Sequence, residues 1–511
     1  MKQWFILFTI CLAWSLMWID FTAVNVALAQ IASDLHTNLS TLQWVITAYT
    51  LCSASLMAIG GRLGDMYGHR RLFIIGTLIF VISSALAGIA ENASLLILSR
   101  VGQGVGIALV VPITTALVYL TFSPKQRGMA LGFLTGTTGV SMAIGPTVGG
   151  LLITYLNWRW VFYINVPIGL FAVFMAFWLM TETAAAARKK IRIDFPGIII
   201  LVAGLVSLLF ALSEVSLWGL WSWQFWGLLI TAALLLIAFV WIEARSREPL
   251  IHFALLSNKT LMGIISVRTC TQYVFFVFIF VVNLYLQNIL GFSADQAGLL
   301  LLAATVVLGI LSPFAGHLMN HWSLRLLISL SCFILACSLL LLIFASITYS
   351  MTLLILSLIL FGAAYAIHFP TTNIAALQTT DTNQSALVTG MLFAMAFSGA
   401  SAGITFSSTV LTNLSQYRVN QLLSIIGIHF NENQLSLIYN MASGAQATSQ
   451  TFNLFPATLA KQVIFLAVNG FLFGFIGVLI ICIVLALFAM IIALRTLKNL
   501  IIKKTGYILD V

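Results

Sequence analysis

Fourteen long apolar runs constrain this chain more than any other feature. They lie near 4 to 30, 40 to 61, 71 to 90, 94 to 119, 128 to 154, 160 to 181, 195 to 213, 224 to 243, 260 to 286, 296 to 318, 324 to 346, 351 to 377, 386 to 410 and 463 to 495. A helix needs about 20 apolar residues to cross a bilayer core, so each run has the length of a membrane span. Only 7% of residues are charged, against about 25% in a soluble domain. The reading is an all-α polytopic membrane protein with 14 transmembrane helices.

An even number of spans puts both termini on one side. With those termini cytoplasmic, 18 of the 23 Lys and Arg residues fall in cytoplasmic segments or adjoining helix ends. Arg159, Arg418 and Lys461 fall outside, and Arg100 and Arg268 lie within spans. The positive-inside rule therefore favours a multi-pass protein of the cell inner (cytoplasmic) membrane with both ends cytoplasmic. The net charge of +10 is sorted by side of the membrane, not clustered on a soluble face, which argues against nucleic acid as a partner. Lys2, the apolar run from Trp4 to Trp18 and Ala27-Leu28-Ala29 imitate a signal peptide. Asp20 and Asn25 interrupt that pattern, so a retained first helix is expected. The six cysteines lie within apolar runs without metal-ligand spacing and read as packing residues.

The chain repeats itself. Gly61, Leu63, Asp65, Gly68 and Arg70 share their spacing with Gly316, Leu318, Asn320, Ser323 and Arg325, each set falling after the second span of a six-helix block. The expected division is an N-terminal six-helix bundle (1-181), a linker with two inserted transmembrane helices (182-258) and a C-terminal six-helix bundle (259-511). The last carries a polar external segment, 411-462, in which Leu422, Leu423, Ile425, Ile426, Ile428 and Phe430 suggest an amphipathic helix. Secondary transporters are built from such repeats, with the substrate site between them.

Charges inside the spans carry the functional expectations. A carboxylate at a helix centre costs roughly 2.5 to 3.5 kcal/mol on insertion scales, so Asp20 must face water, pair or take a proton. That makes it the candidate proton carrier. Arg100, on the oppositely running fourth span, lies at a depth compatible with pairing. Asn25, Gln103, Arg268 and His368 are the candidates for the substrate cavity. Arg100 to Gly106 has the glycines of a phosphate loop but no preceding strand. His317 and His321 have the spacing of a metal pair without a third ligand. Neither a metal nor a cofactor is expected, and no enzymatic motif stands out.

The loop Gly61-Arg62-Leu63-Gly64-Asp65-Met66-Tyr67-Gly68-His69-Arg70-Arg71 sets glycines, an acid and bases between two spans. In span 5, small residues at 132, 136, 141, 145 and 149 make a face for close helix packing, and Pro146 favours a bend. Glu243-Ala244-Arg245 with Glu248-Pro249-Leu250-Ile251, and Leu284 to Gly291, complete the set. Together with Asp20 to Leu28, Arg100 to Gly106 and Gly145 to Gly150, these stretches resemble the fourteen-helix drug:proton antiporter branch of the major facilitator superfamily, over roughly residues 10 to 410. The resemblance implies proton-coupled efflux of lipophilic drugs or related toxic compounds by alternating access. It implies gating roles for Gly61, Asp65, Gly68, Arg70, Arg71, Gly145, Pro146, Gly149 and Gly150, and a contact of Asp65 with span 11 near Leu324. Asn320 departs from the pattern by lacking the acid of the first repeat, and Ser141 stands where glycine or alanine is commoner. The partners implied are a small lipophilic substrate, protons and the lipid bilayer, and the sequence leaves open whether a periplasmic adaptor joins them. Uptake of a metabolite by proton symport and a non-transporting membrane sensor are the rival functions.

Overall fold

The computed structural model describes residues 2–36, 39–181, 195–219, 222–243, 245, 253–292, 294–319, 321–380, 384–426, 430–444 and 457–497. The first half runs α1 (Lys2–Asp34), α2 (Leu39–Tyr67), α3 (His69–Gly88), α4 (Ala93–Thr121), α5 (Pro124–Tyr155), α6 (Arg159–Tyr163) and α7 (Asn165–Leu179). Two inserted helices, α8 (Phe195–Trp218) and α9 (Trp223–Glu243), precede the short α10 (Phe253–Ser257). The second half runs α11 (Lys259–Leu284), α12 (Ala294–Leu318), α13 (Leu324–Thr348), α14 (Met351–Gln378), α15 (Ser385–Ile426), α16 (Glu432–Ala442) and α17 (Ala457–Thr496). No strand occurs among the described residues.

Thirteen of these helices, α6 and α7 counting as one, are long and apolar enough to cross a membrane. The 24-residue α8 stands beside them with a shorter apolar stretch at Gly197–Ala211. Several helix starts coincide with side chains that satisfy free backbone donors. Asn92 accepts from the Leu95 amide, Asn258 from Thr260 and Leu261, Ser323 from Leu326, and Ser350 from Leu353. The outer faces stay apolar: Phe177, Trp178, Leu234, Ile237 and Phe314 are all exposed. Only 17% of the most apolar window of α9 is buried. Surfaces of this kind are stable in hydrocarbon and not in water, so the molecule is a multi-pass membrane protein.

The halves meet along two seams, α2 against α15 and α5 against α12. These are the second helix of each repeat against the fifth helix of the other. Gly61 faces the Ala386 carbonyl, and its repeat counterpart Gly316 faces Gly128. A side chain at either glycine would collide with backbone, so the sequence repeat is also a symmetry of contact. The inserted pair α8 and α9 packs together, and α8 also touches α2 and α15, covering one seam.

The glycine face of α5 divides between two partners. Gly128, Gly132, Gly136 and Gly139 lie against Gly316, Ser312, Gly309 and Thr305 of α12, whereas Gly145 and Gly149 lie against Thr22 and Ala23 of α1. The small residues expected to form one packing face thus serve two helices.

The segment 411-462 begins in mid-helix. The 42-residue α15 is about 63 Å long and the 40-residue α17 about 60 Å, roughly twice the hydrocarbon thickness. The amphipathic element is α16, started by a capping box in which Asn431 and Gln434 satisfy each other's backbone amides. Val419 and Leu422 of α15, Ile438 and Met441 of α16, and Val463 and Leu466 of α17 share a small core. Leu422 and Leu423 therefore belong to the continuation of α15 and not to a separate helix. Ile428 lies outside the described residues, as do Asn320, 182–194 and 498–511.

Candidate functional site

Asp20 is fully buried in α1 and surrounded by donors. Arg100 Nη1 on α4 donates to its Oδ2 at 2.5 Å. Gln103 Nε2, one turn along α4, and Asn165 Nδ2 at the start of α7 each donate to Oδ1 at 3.1 Å. The same two amides reach Ser84 Oγ on α3, at 3.1 and 3.0 Å, and Ser84 donates to the Phe162 carbonyl. Arg100 also donates from Nε to the Val45 carbonyl at 2.9 Å and from Nη1 to Gln103 Oε1 at 2.8 Å. Its guanidinium carbon lies 4.3 Å from the Tyr49 ring centroid, a cation–π contact. A charge pair this deep is tolerable only because nearly every polar atom is answered.

The structure thus brings Asp20 and Arg100 together. It places Gln103 in their network and not on the wall of the central cavity. Ser84 and Asn165, which the sequence reading does not single out, complete the cluster. Asn25 lies on α1, and its side chain is outside the described residues.

A second polar group lies between the halves. An internal cavity is walled by Trp14 and Trp18 of α1, Thr135 and Thr138 of α5, Arg268 and Gln272 of α11, Phe369 and Asn373 of α14, and Phe393 and Phe397 of α15. About 20 Å³ is open to the centre of a water molecule, enough for one. Arg268 is 3% exposed and donates from Nη1 to Thr372 Oγ1 at 3.2 Å. Its guanidinium carbon sits 4.2 Å from the Phe369 ring centroid and 5.6 Å from that of Phe393. Trp14 Nε1 donates to Thr138 Oγ1 across the α1–α5 contact.

His368 does not line this cavity. Thr271 Oγ1 stands 2.8 Å from its Nε2 and Ser331 Oγ 3.0 Å from its Nδ1, so both ring nitrogens are engaged between α11, α13 and α14. The expected cavity role gives way to a fixed packing position, because two hydroxyls satisfy the ring where it lies. Gln272, Asn373 and the tryptophans are the cavity residues that sequence reasoning passes over. Neutral polar side chains and tryptophans are too common in membrane helices to stand out.

At the end bearing Arg62, Arg70, Arg71, Arg127 and Arg325, Asp65 accepts from the Ala386 amide at 3.2 Å and the Leu387 amide at 2.8 Å. His69 Nε2 lies 3.2 Å from Oδ1, the oxygen that also accepts from Ala386. The helix it caps is α15, not the one beginning at Leu324, so the expectation of a contact with span 11 is corrected. The repeat symmetry explains the correction: the second helix of one half meets the fifth helix of the other. Gly68 turns the chain between α2 and α3 with φ 102°, open to glycine. Arg70 Nη2 donates to the Phe177 carbonyl at 2.7 Å, and Arg71 is exposed. Pro146 lies within α5, and Gly150 has open space where a side chain would be. Among the described residues no three His, Cys, Asp or Glu gather as a metal site requires.

Paired helical bundles enclosing a polar cavity, with interlocked second and fifth helices, define a class of membrane protein. The chain belongs to the Major Facilitator Superfamily, whose family model matches residues 5–404. It is 32% identical over 321 residues to the tetracenomycin C resistance and export protein of Streptomyces glaucescens, covering 63% of this chain and 60% of that one. It is 33% identical over 304 residues to the multidrug transporter protein MdtP of Bacillus subtilis, covering 59% and 55%. These matches span less than two thirds of either relative's length. With the multidrug resistance protein Stp of Mycobacterium tuberculosis the identity is 28% over 397 residues, covering 78% and 73%. Among solved structures, the human organic anion transporter MFSD10 superposes with a TM-score of 0.58 at 15% identity, covering 91% and 99%. The proton:xylose symporter XylE superposes with a TM-score of 0.55 at 15% identity, covering 95% of each chain. At that identity the likeness is one of fold.

Proposed function

We propose that this protein exports lipophilic small molecules across the cytoplasmic membrane in exchange for protons, and is a transporter and not an enzyme. The observation that carries the reading is the buried Asp20, held by Arg100, Gln103 and Asn165 two positions along α1 from the cavity residue Trp18. Of the two groups the carboxylate is the one that can take up a proton, since a guanidinium already carries its own. A proton on Asp20 releases Arg100 to its remaining acceptors, the Val45 carbonyl and Gln103. Protonation then loosens the link between α1 and α4 beside the cavity.

The basic end is the cytoplasmic one on this reading. Its two seams are closed, with Asp65 on the α15 terminus, so the conformer is sealed toward the cytoplasm. The same reading takes 182 and 258 as the boundaries of the inserted pair. Relatives named for drug resistance and export support efflux as the direction.

Purified protein in proteoliposomes tests this with lipophilic dyes of anionic, neutral and cationic kinds. An acidic lumen should drive dye accumulation, and a protonophore should abolish it. Accumulation driven instead by an acidic exterior means symport, and no gradient dependence means a sensor; either result overturns the proposal.

A further inference from the structure

The transport reading leaves the substrate's charge open, and the central cavity bears on it. Arg268 is buried on α11, and among the described residues no carboxylate pairs with it. Its Nε has no hydrogen-bond partner, and neither do Gln272 Oε1 or Asn373 Oδ1. Those two side chains are 3% and 5% exposed and stand on the same cavity wall. Buried polar atoms are almost always answered, and a buried guanidinium without an anion is costly. Three unanswered groups converging on one cavity describe what belongs there.

Among the described residues no carboxylate lines the cavity to take the place. Asp20 is committed to Arg100, Gln103 and Asn165. It is absent from the cavity wall. The rings of Phe369 and Phe393 only partly offset the charge of Arg268. Around them Trp14, Trp18 and Phe397 make the rest of the wall aromatic.

We infer that the cavity is a site for an aromatic acid: Arg268 takes the carboxylate, the Gln272 and Asn373 amides take a neighbouring hydroxyl, and the aromatic wall takes the ring. This rests on the transport reading and names the class of its substrate. Guanidinium matches carboxylate with two parallel donors, and an amide oxygen accepts from a hydroxyl. A lipophilic cation would bring a second positive charge to a site that already holds one without a counter-ion. The cavity admits about one water in this conformer, so the aromatic walls of α1 and α15 part to admit the ring.

The test is equilibrium dialysis of the full-length protein in lipid nanodiscs against three probes of one shape: 3-hydroxy-2-naphthoate, its neutral carboxamide and 2-naphthylmethylammonium. Charge-assisted hydrogen bonds make the expected preference for the naphthoate about tenfold or more over either other probe. Arg268→Gln should erase that preference. Arg268→Lys, which keeps the charge if the glutamine variant does not insert, should retain a weaker preference for naphthoate over ammonium. Equal or tighter ammonium binding to the native protein overturns the site, as does a preference that survives in Arg268→Gln, or an absence of saturable naphthoate binding. Gradient-driven transport of the anionic, neutral and cationic dyes separates the two readings. If any of them is carried while the charge preference is missing, this site fails alone; if none is carried by the native protein, the transport reading fails.

Discussion

Asp20 is held by one charged and two neutral donors, and the difference matters for what each substitution does. Asp20→Asn leaves Arg100 buried without a counter-charge. Stranding one member of a buried pair costs about 3 to 5 kcal/mol, reduced here by the Val45 carbonyl, Gln103 and the Tyr49 ring. The variant should insert, lose thermal stability in detergent and show no pH-driven dye transport in proteoliposomes; coupled transport at the native rate would remove Asp20 from the mechanism. Asn165→Ala changes no charge. It deprives Asp20 and Ser84 of one donor each, at about 1 to 3 kcal/mol, and should slow coupled transport several-fold without abolishing it. Normal rates in that variant would confine the coupling chemistry to α1 and α4. Asp20 and Arg100 were legible in the sequence because a charge inside an apolar run is conspicuous. Ser84, Asn165, Gln272 and Asn373 were not, since a neutral polar residue costs little in a helix and only its neighbours reveal a function. His368 was conspicuous in its span, but only its neighbours Thr271 and Ser331 show that it packs and does not line the cavity.

At the scale of helices, the seams turn on single glycines. Gly61→Ala puts a methyl group into the Ala386 carbonyl, which the α2–α15 seam can accommodate only by opening. Spin labels on the basic ends of α2 and α15 should therefore report a longer distance in Gly61→Ala than in the native protein. Gly150→Ala is the matched comparison: with nothing within 4 Å, it should leave the distances unchanged and gain up to about 1 kcal/mol from helix propensity. Identical distances in all three proteins would show that the seam is not a gate. Asp65→Asn acts on the same seam more gently. A carboxylate at a helix N-terminus contributes about 0.3 to 1 kcal/mol, and up to about 2 when partly buried. Each kcal/mol lost shifts the population toward the open seam by roughly fivefold. Turnover should fall more than substrate affinity, and an unchanged distance distribution would reduce Asp65 to a local cap. The sequence showed that Asp65 sat in a charged turn between spans. It did not show which helix began opposite, because residues 65 and 386 are far apart in the chain and only the fold brings them together.

Across the whole molecule, hydropathy made the spans legible, because lipid requires a continuous apolar stretch wherever a helix crosses it. The same signal ended α15 near 410, although the helix continues to Ile426, since leaving the bilayer changes polarity without breaking helical hydrogen bonds. Orientation is the part of the architecture that charge alone predicts. In a variant without native cysteines, Arg188→Cys and Asn440→Cys should react with an impermeant maleimide from opposite sides of the membrane; reaction of both from one side would refute the fourteen-span order. The α5–α12 seam carries one further consequence. Gly128, Gly132 and Gly136 set bare backbone against the backbone of α12. At these three positions the backbones can part without a side chain leaving its rotamer well. On the transport reading, the seam would serve the motion between bundles as a bearing.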